Sequence, residues 1–261
     1  MGFQPVDFAH LARFNSAVSS EFLDTYNKHV DAKIAAERSE PAHQTFAPSS
    51  FRCDRRSWFR IRGVEPDKAP SSDRTLRFVA DVGTACHRII QTNLKEALGD
   101  RWIDVGVYLQ NQDVNYEYTL TYPADSLETQ IEVLKPPIRF ACDGIVKCDD
   151  VYYLLEIKTS EFGSWNELLD PKREHVDQAK MYATMLGLSD VLFLYMDRQY
   201  GELKCYEIHV SDTDKQEIWD RMNKVMEFAE YGIAPEALPK GDKWCTPQMC
   251  PYFKKCAEYG R

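Results

Sequence analysis

Two carboxylates and an ammonium, Asp143, Glu156 and Lys158, stand at the ends of two apolar runs in the stretch CDGIVKCDDVYYLLEIKTS, residues 142–160. Asp149-Asp150 reads as a hairpin turn between strands over 137–148 and 151–158. Asp143 precedes that turn by six residues and Glu156 follows it by six. The pairing therefore sets them nearly opposite one another on strands about 4.8 Å apart. The pleat sends both side chains, and that of Lys158 two residues on, to one face. Carboxylates so placed repel, and burial sharpens the repulsion. A divalent cation such as Mg²⁺ or Mn²⁺ resolves it, accepting oxygen ligands, keeping waters and bridging to phosphate. Beside it Lys158 can orient or help deprotonate a water, or neutralise charge on phosphorus. Asp-x12-Glu-x-Lys alone also suits an exposed hairpin. The solidly apolar YYLLEIK argues against that, since a surface acid is more often interleaved with polar residues.

The neighbouring elements must hold these residues in place. A helix is expected over about 83–98, GTACHRIIQTNLKEAL, carrying His87 as a nitrogen donor, with Gly99 as its stop. A second is expected over about 174–187, with Gln178 and Tyr182 at i and i+4 on one face. DVLFLYMD and LKCYEIHV read as strands joined near Tyr200-Gly201, and Ser211 with Asp214 opens a capped helix. Residues 102–134 suggest strands of uncertain register. Residues 1–45 read as helical and polar, 64–75 as loop, and the last 30 residues as largely irregular.

Eight cysteines fall into two kinds. Cys86, Cys142, Cys148 and Cys205 lie in apolar periodic segments and read as small core residues. Cys245, Cys250 and Cys256 crowd a loop-like tail, and Cys53 stands apart in SSFRCDRRSWF. Three thiolates need one more for a four-thiolate site, and Cys53 is the candidate; a metal bound there would tie the C-terminal tail to the N-terminal region, the alternative being free or disulfide-bonded cysteines. Zinc and an iron–sulfur cluster both accept four cysteines. Zinc usually takes two close pairs, whereas this spacing is one plus three.

The N-terminus lacks the basic start and apolar run of a leader, and Val6 breaks a myristoylation pattern. No apolar run reaches the length of a membrane span, so a cytoplasmic protein without a membrane partner is expected. A net charge of −9 argues against coating nucleic acid by bulk charge. Between Phe51 and Ile90, however, nine basic residues face five acids. Arg52, Arg55, Arg56 and Arg60 there are candidates for lining the path of a nucleic-acid strand. No Gly-x4-Gly-Lys-Ser/Thr loop is present, so no ATP-driven motor of its own is expected.

Gly83-Thr84-x-x-His87, Asp143-Gly144, Glu156-Ile157-Lys158 and Gln178-x3-Tyr182, in that order, resemble the RecB-type branch of the PD-(D/E)XK nucleases over about residues 83–187. The resemblance implies a restriction-endonuclease-like α/β core, with a central mixed sheet flanked by helices. It implies metal ligation by His87, Asp143, Glu156 and the Ile157 carbonyl, catalysis by Lys158, and DNA contact by Gln178 and Tyr182. One cysteine upstream of the core and three downstream is similar to the iron–sulfur subset, including AddB-like proteins and the exonucleases of CRISPR adaptation. That similarity implies a structural 4Fe–4S cluster on Cys53, Cys245, Cys250 and Cys256. The first gap here is four residues where that subset usually has two.

The expected organisation is a helical N-terminal region over 1–82 with the basic segment, a nuclease core over 83–210, and a C-terminal helix with a cysteine-stapled tail over 211–261. The expected activity is metal-dependent DNA exonuclease action on single strands or ends through a metal-activated water. A structure-specific endonuclease with the same site, or a non-catalytic nucleic-acid binder stapled by a metal cluster, are the alternatives. The expected partner is DNA, beside a separate helicase, recombination or CRISPR-adaptation protein, in a prokaryotic or phage setting.

Overall fold

The computed structural model of the chain describes residues 17–38, 44–67, 74–123 and 127–260. The first 16 residues, read above as carrying no leader, lie outside that range. Two compact units are described. One joins helix α1 (Ala17–Arg38) to the start of helix α3 (Arg74–Leu98), as far as Val79. Within it Ile34 is buried, and Arg74 Nε lies 3.2 Å from Asp31 Oδ1.

The other unit holds the segment 44–67, with helix α2 (Asp54–Ile61), and everything from Ala80 onward. Along it run β1 (Trp102–Ile103), α4 (Val105–Gln110), β2 (Tyr118–Thr121), β3 (Gln130–Val133), β4 (Ile138–Ala141), β5 (Gly144–Cys148) and β6 (Val151–Ser160). Then come α5 (Phe162–Asn166), α6 (Arg173–Leu186), β7 (Asp190–Asp197), β8 (Leu203–His209), α7 (Asp212–Glu230) and α8 (Phe253–Glu258).

The expected α/β class is what the chain adopts. A five-stranded mixed sheet has the order β1-β5-β6-β7-β8, and a three-stranded antiparallel sheet has the order β2-β3-β4. β6 and β7 are parallel, with α5 and α6 in the connection between them, and the other neighbours in the larger sheet are antiparallel. The central β6 is covered on both faces, which explains its nearly unbroken apolar run. Leu155 and Ile157 join Val146 and Ile90 of α3 in one cluster. Leu154, Ile145, Val191 and Phe193 join the main core with Ala179, Tyr182 and Ala183 of α6.

The hairpin β5–β6 forms in the expected register, from Cys148↔Val151 to Gly144↔Leu155, and Asp149 takes positive φ in its turn. One step further the register brings Asp143 opposite Glu156. The expected strand over 137–148 is broken, however. β4 belongs to the smaller sheet and β5 to the larger, and Cys142-Asp143 is the crossing between them. Hydrogen bonds from Gln91 to the Asp143 carbonyl and from the Ile157 amide to its side chain hold the chain off the ladder there.

α3 starts about nine residues before its expected origin, because the helix-favouring residues upstream of Gly83 extend it and Gly83 is tolerated within it. Residues 105–110 form a helix where strands were expected, capped by Asp104 accepting from the Val107 amide. The anticipated cap of α7 is present: Ser211 and Asp214 each accept from the other's backbone amide. Gly187, with positive φ, ends α6 and turns the chain into β7. The tail is not wholly irregular, since α8 lies within it. Asp67 accepts the amides of Lys254 and Lys255 there, while Tyr252 stacks on Phe59 of α2. No helix among the described residues is long and apolar enough to cross a membrane.

Candidate active site

The crossing between the sheets gives Asp143 its place. Its carboxylate is 5% exposed and is held from two sides. Oδ1 lies 2.9 Å from His87 Nδ1 on α3, and Oδ2 accepts the Ile157 amide at 2.6 Å. Gln91, one turn along α3 from His87, donates to the Asp143 carbonyl at 2.8 Å and so fixes the backbone as well. Gly144 is required beside it: a Cβ there would stand 2.7 Å from the Trp102 ring.

Glu156, 2% exposed, points from β6 into the same region. Lys158 Nζ lies 2.5 Å from its Oε2 as an ion pair, yet that buried oxygen receives no hydrogen bond of good geometry. The ammonium also donates to Gln178 Oε1 at 3.4 Å, and Gln178 Nε2 donates to the Tyr182 hydroxyl at 2.7 Å. Tyr182 in turn stacks on Phe140 of β4 with ring centres 5.3 Å apart. The i,i+4 pair on α6 thus forms an inward chain that orients Lys158. His87, Asp143, Glu156, Ile157, Lys158, Gln178 and Tyr182, distant in sequence, all converge here.

Glu128, just ahead of β3, completes the cluster and was not foreseen. Ligand atoms of His87, Glu128 and Asp143 all lie within 4.8 Å of one another. Glu156 stands outside this trio, paired with Lys158. No periodic signal marks Glu128. It sits in a weakly patterned stretch, and only the folding of β3 against β4 brings it to Asp143.

The electrostatics are those of crowded acids. Burial, and then the charge of Asp143, raise the Glu156 carboxyl to about 7 against the opposing pull of Lys158. Burial and Asp143 also push the Glu128 carboxyl up. Burial disfavours the charged forms of His87 and Lys158, but the neighbouring carboxylates outweigh it, so both are raised. His175, one turn before Gln178, is driven the other way. Burial and the charge of Lys158 lower it to about 4, and its Nδ1 lies 2.7 Å from the Tyr195 hydroxyl.

The donor set fits a hard divalent cation. It offers carboxylate oxygens, one imidazole, a buried oxygen without a hydrogen bond, and more negative charge than Lys158 offsets.

The four cysteines singled out are reduced and gather at α2 and the tail. Cys53 caps the start of α2. Burial raises its thiol, with further contributions from Cys250 and Cys256, and Cys250 is raised by burial with help from Cys245 and Cys256. Of the arginines expected along a nucleic-acid path, Arg52 donates to Ser49 O and lies over the Trp244 ring at 3.7 Å. Arg60 donates to Thr45 O. Arg55 departs from that expectation. It is buried and spends its donors on Pro235 and Cys256, inside the protein. Its spacing was a readable signal, since Arg55 shares a helix face with Trp58 and Phe59, both buried.

Scanned against family models and curated protein sequences, the chain matches none. Among solved structures it is loosely similar to the crystal structure of SSO0001. There the TM-score is 0.44 at 14% identity, covering 92% of this chain and 96% of that one. An alkaline exonuclease (LHK-Exo) from Laribacter hongkongensis gives 0.37 at 15% identity, covering 77% and 93%. The same exonuclease in complex with dAMP gives 0.32 at 17% identity, covering 52% and 70%.

Proposed function

We propose that this chain is a metal-dependent DNA exonuclease acting on single strands or DNA ends. The observation that carries the proposal is the convergence of His87, Glu128 and Asp143 within 4.8 Å of one another, beside the buried Glu156–Lys158 pair. His87, Asp143, Glu156 and the Ile157 carbonyl, joined by Glu128, would hold Mg²⁺ or Mn²⁺. A divalent cation there supplies a Lewis acid for a phosphoryl oxygen and lowers the pKa of a water.

The chain's own residues do the rest. Lys158, with its raised pKa, is an ammonium at neutral pH. Its part is to orient the attacking water and neutralise charge developing on phosphorus, rather than to take a proton. Gln178 and Tyr182 hold it in that position through their linked hydrogen bonds. Glu156, held at about 7 in the metal-free chain, must give up its proton before it can hold a cation. Arg52, Arg56 and Arg60 supply cations for salt-dependent phosphate contacts.

The cysteines at positions 53, 245, 250 and 256 would hold a structural 4Fe–4S cluster, with Zn²⁺ as the alternative. Four free thiols, one of them against the buried Arg55 guanidinium, which meets no carboxylate among the described residues, suit an anionic metal–thiolate group. Lacking a phosphate-binding loop, the chain acts on ends already opened, or beside a separate helicase, recombination or CRISPR-adaptation partner.

The test is cleavage of 5′- and 3′-labelled single-stranded oligonucleotides with Mn²⁺ or Mg²⁺, beside Lys158→Ala and Glu156→Ala. Metal-dependent laddering lost in both variants, with circular single strands left intact, is the expected outcome. Cleaved circles favour the endonuclease. Tight DNA binding with no cleavage under either metal overturns the enzyme and leaves a binding protein.

A further inference from the structure

Arg55 is a charge that the site described above does not use. Its residue is 5% exposed and its guanidinium is permanently cationic. Nε donates to the Pro235 carbonyl at 2.5 Å. Nη1 approaches the Cys256 carbonyl at 3.5 Å and the Cys256 sulfur at 3.6 Å. Among the described residues no carboxylate lies in ion-pair range of it. The adjacent Asp54 is paired with Arg221, Nε to Oδ1 at 2.5 Å. A buried cation satisfied only by neutral carbonyls is strongly disfavoured unless an anion accompanies it. The atom at hand that can be that anion is sulfur.

Two further observations point to the same place. Cys53 stands two residues before Arg55, at the N-cap position of α2. On either side of Arg55, Arg52 Nη1 and Arg56 Nε are buried donors without a hydrogen-bond partner. The start of α2 therefore sets cations and unfilled donors in the chain on either side of Cys53.

We propose that Arg55 is the internal counter-cation of the four-cysteine site: it donates a charge-assisted hydrogen bond to the Cys256 thiolate and offsets the negative charge of the bound metal–thiolate group. This rests on the cofactor reading given above. Arg55 is a positioning residue with an electrostatic consequence. One-electron reduction adds a further negative charge to the cluster, and a fixed cation against a ligating sulfur favours that state. Removing the cation lowers the reduction potential. It also loosens the tail, because the same guanidinium links α2 to Pro235 and Cys256.

The experiment uses the full chain purified without oxygen, with Arg55→Gln, Arg55→Lys and, as a control, Arg62→Gln, an exposed cation at the end of the same helix. Iron, sulfide and zinc contents, the midpoint potential in a dithionite titration, and the rate of metal loss to a chelator are measured. Arg55→Gln is expected to lower the reduction equilibrium constant about tenfold, 59 mV for a one-electron couple, and to lose metal faster. Arg62→Gln is expected to match wild type.

Arg55→Lys keeps the charge but not the planar fork. It is expected to hold its potential nearer to wild type than Arg55→Gln does, and to lose metal faster than wild type. If Arg55→Gln does not fold, the chelator rate of Arg55→Lys decides, and a wild-type rate overturns the proposal. An Arg55→Gln protein with wild-type potential and wild-type metal retention also overturns it, leaving the cofactor reading intact. A wild-type chain holding neither iron, sulfide nor zinc overturns both together.

Discussion

Glu128→Gln tests Glu128 as a metal ligand, because it should stabilise the metal-free protein while weakening metal binding. Carboxylate oxygens of Glu128 and Asp143 lie within 4.8 Å of each other. Two unit charges at that distance repel by about 3 kcal/mol at an effective dielectric of about 20. Glu128 is only partly buried, so screening brings the expected value down to about 1–2 kcal/mol. Glutamine keeps the shape, can donate to Asp143 and removes the charge, so the metal-free variant should be the more stable one. For a chain of this size that is roughly 2–4 °C per kcal/mol.

The sign with pH follows from the raised Glu128 carboxyl. The folded state holds that proton more tightly than the unfolded state does. The wild type therefore keeps this contribution below the ordinary glutamate range and loses it as pH rises through that range toward the raised value. The stabilisation by glutamine should accordingly be small in acid and grow toward neutrality. Mn²⁺ affinity should fall by at least the roughly 10–100-fold that losing a supporting group costs. Thermal melts in EDTA across pH, followed by Mn²⁺ calorimetry, make the comparison. A variant less stable than wild type at neutral pH, with unchanged Mn²⁺ affinity, would refute the assignment of Glu128 to the metal.

Glu156, at about 7, and His87, raised above the ordinary imidazole range, must both lose their protons to serve as ligands, so Mn²⁺ affinity should fall as pH is lowered through neutrality, by up to about tenfold per unit for each proton displaced. Calorimetry over that range checks this. Gly144→Ala drives a Cβ to 2.7 Å from the Trp102 ring, beside Asp143. A loss of about 1–3 kcal/mol is expected, with weakened Mn²⁺ binding, and denaturant unfolding with and without metal reads both. Ser211→Ala removes half of a capping box far from the site. It should cost about 1 kcal/mol in unfolding midpoint and leave Mn²⁺ affinity unchanged.

The core of the site was legible because local rules govern it. A two-residue turn at Asp149-Asp150 fixes the hairpin register, and the register carries Asp143 to Glu156. The face shared by Gln178 and Tyr182 follows from helical spacing alone. Non-local placement was harder to read. Glu128 joins His87 and Asp143 only through the pairing of β3 with β4 in a second sheet, and nothing in its own neighbourhood signals that pairing. The break at Cys142-Asp143 was hidden because apolar residues continue across it, and both sheets need them. Arg55 was misjudged on charge, where its helix face, shared with Trp58 and Phe59, says more about direction than its side-chain type does.

Placing Asp143 where the chain passes from one sheet to the other also bears on the order in which the molecule assembles. Its ligand oxygens are set by α3 on one side and β6 on the other, and its backbone by Gln91. The contacts with His87 and Gln91 span 56 and 52 residues and must wait for long-loop closure, whereas the Ile157 contact spans 14 across the hairpin and can form first. The larger sheet alone brings Asp143 to Glu156, but Glu128 comes only with the smaller sheet. On the proposed function, the complete donor set therefore arrives with the docking of the two sheets. An opening at Cys142-Asp143 would separate that set without unfolding either sheet, and hydrogen exchange at the Ile157 amide, held by a side chain outside the ladder, is the measurement that would report it.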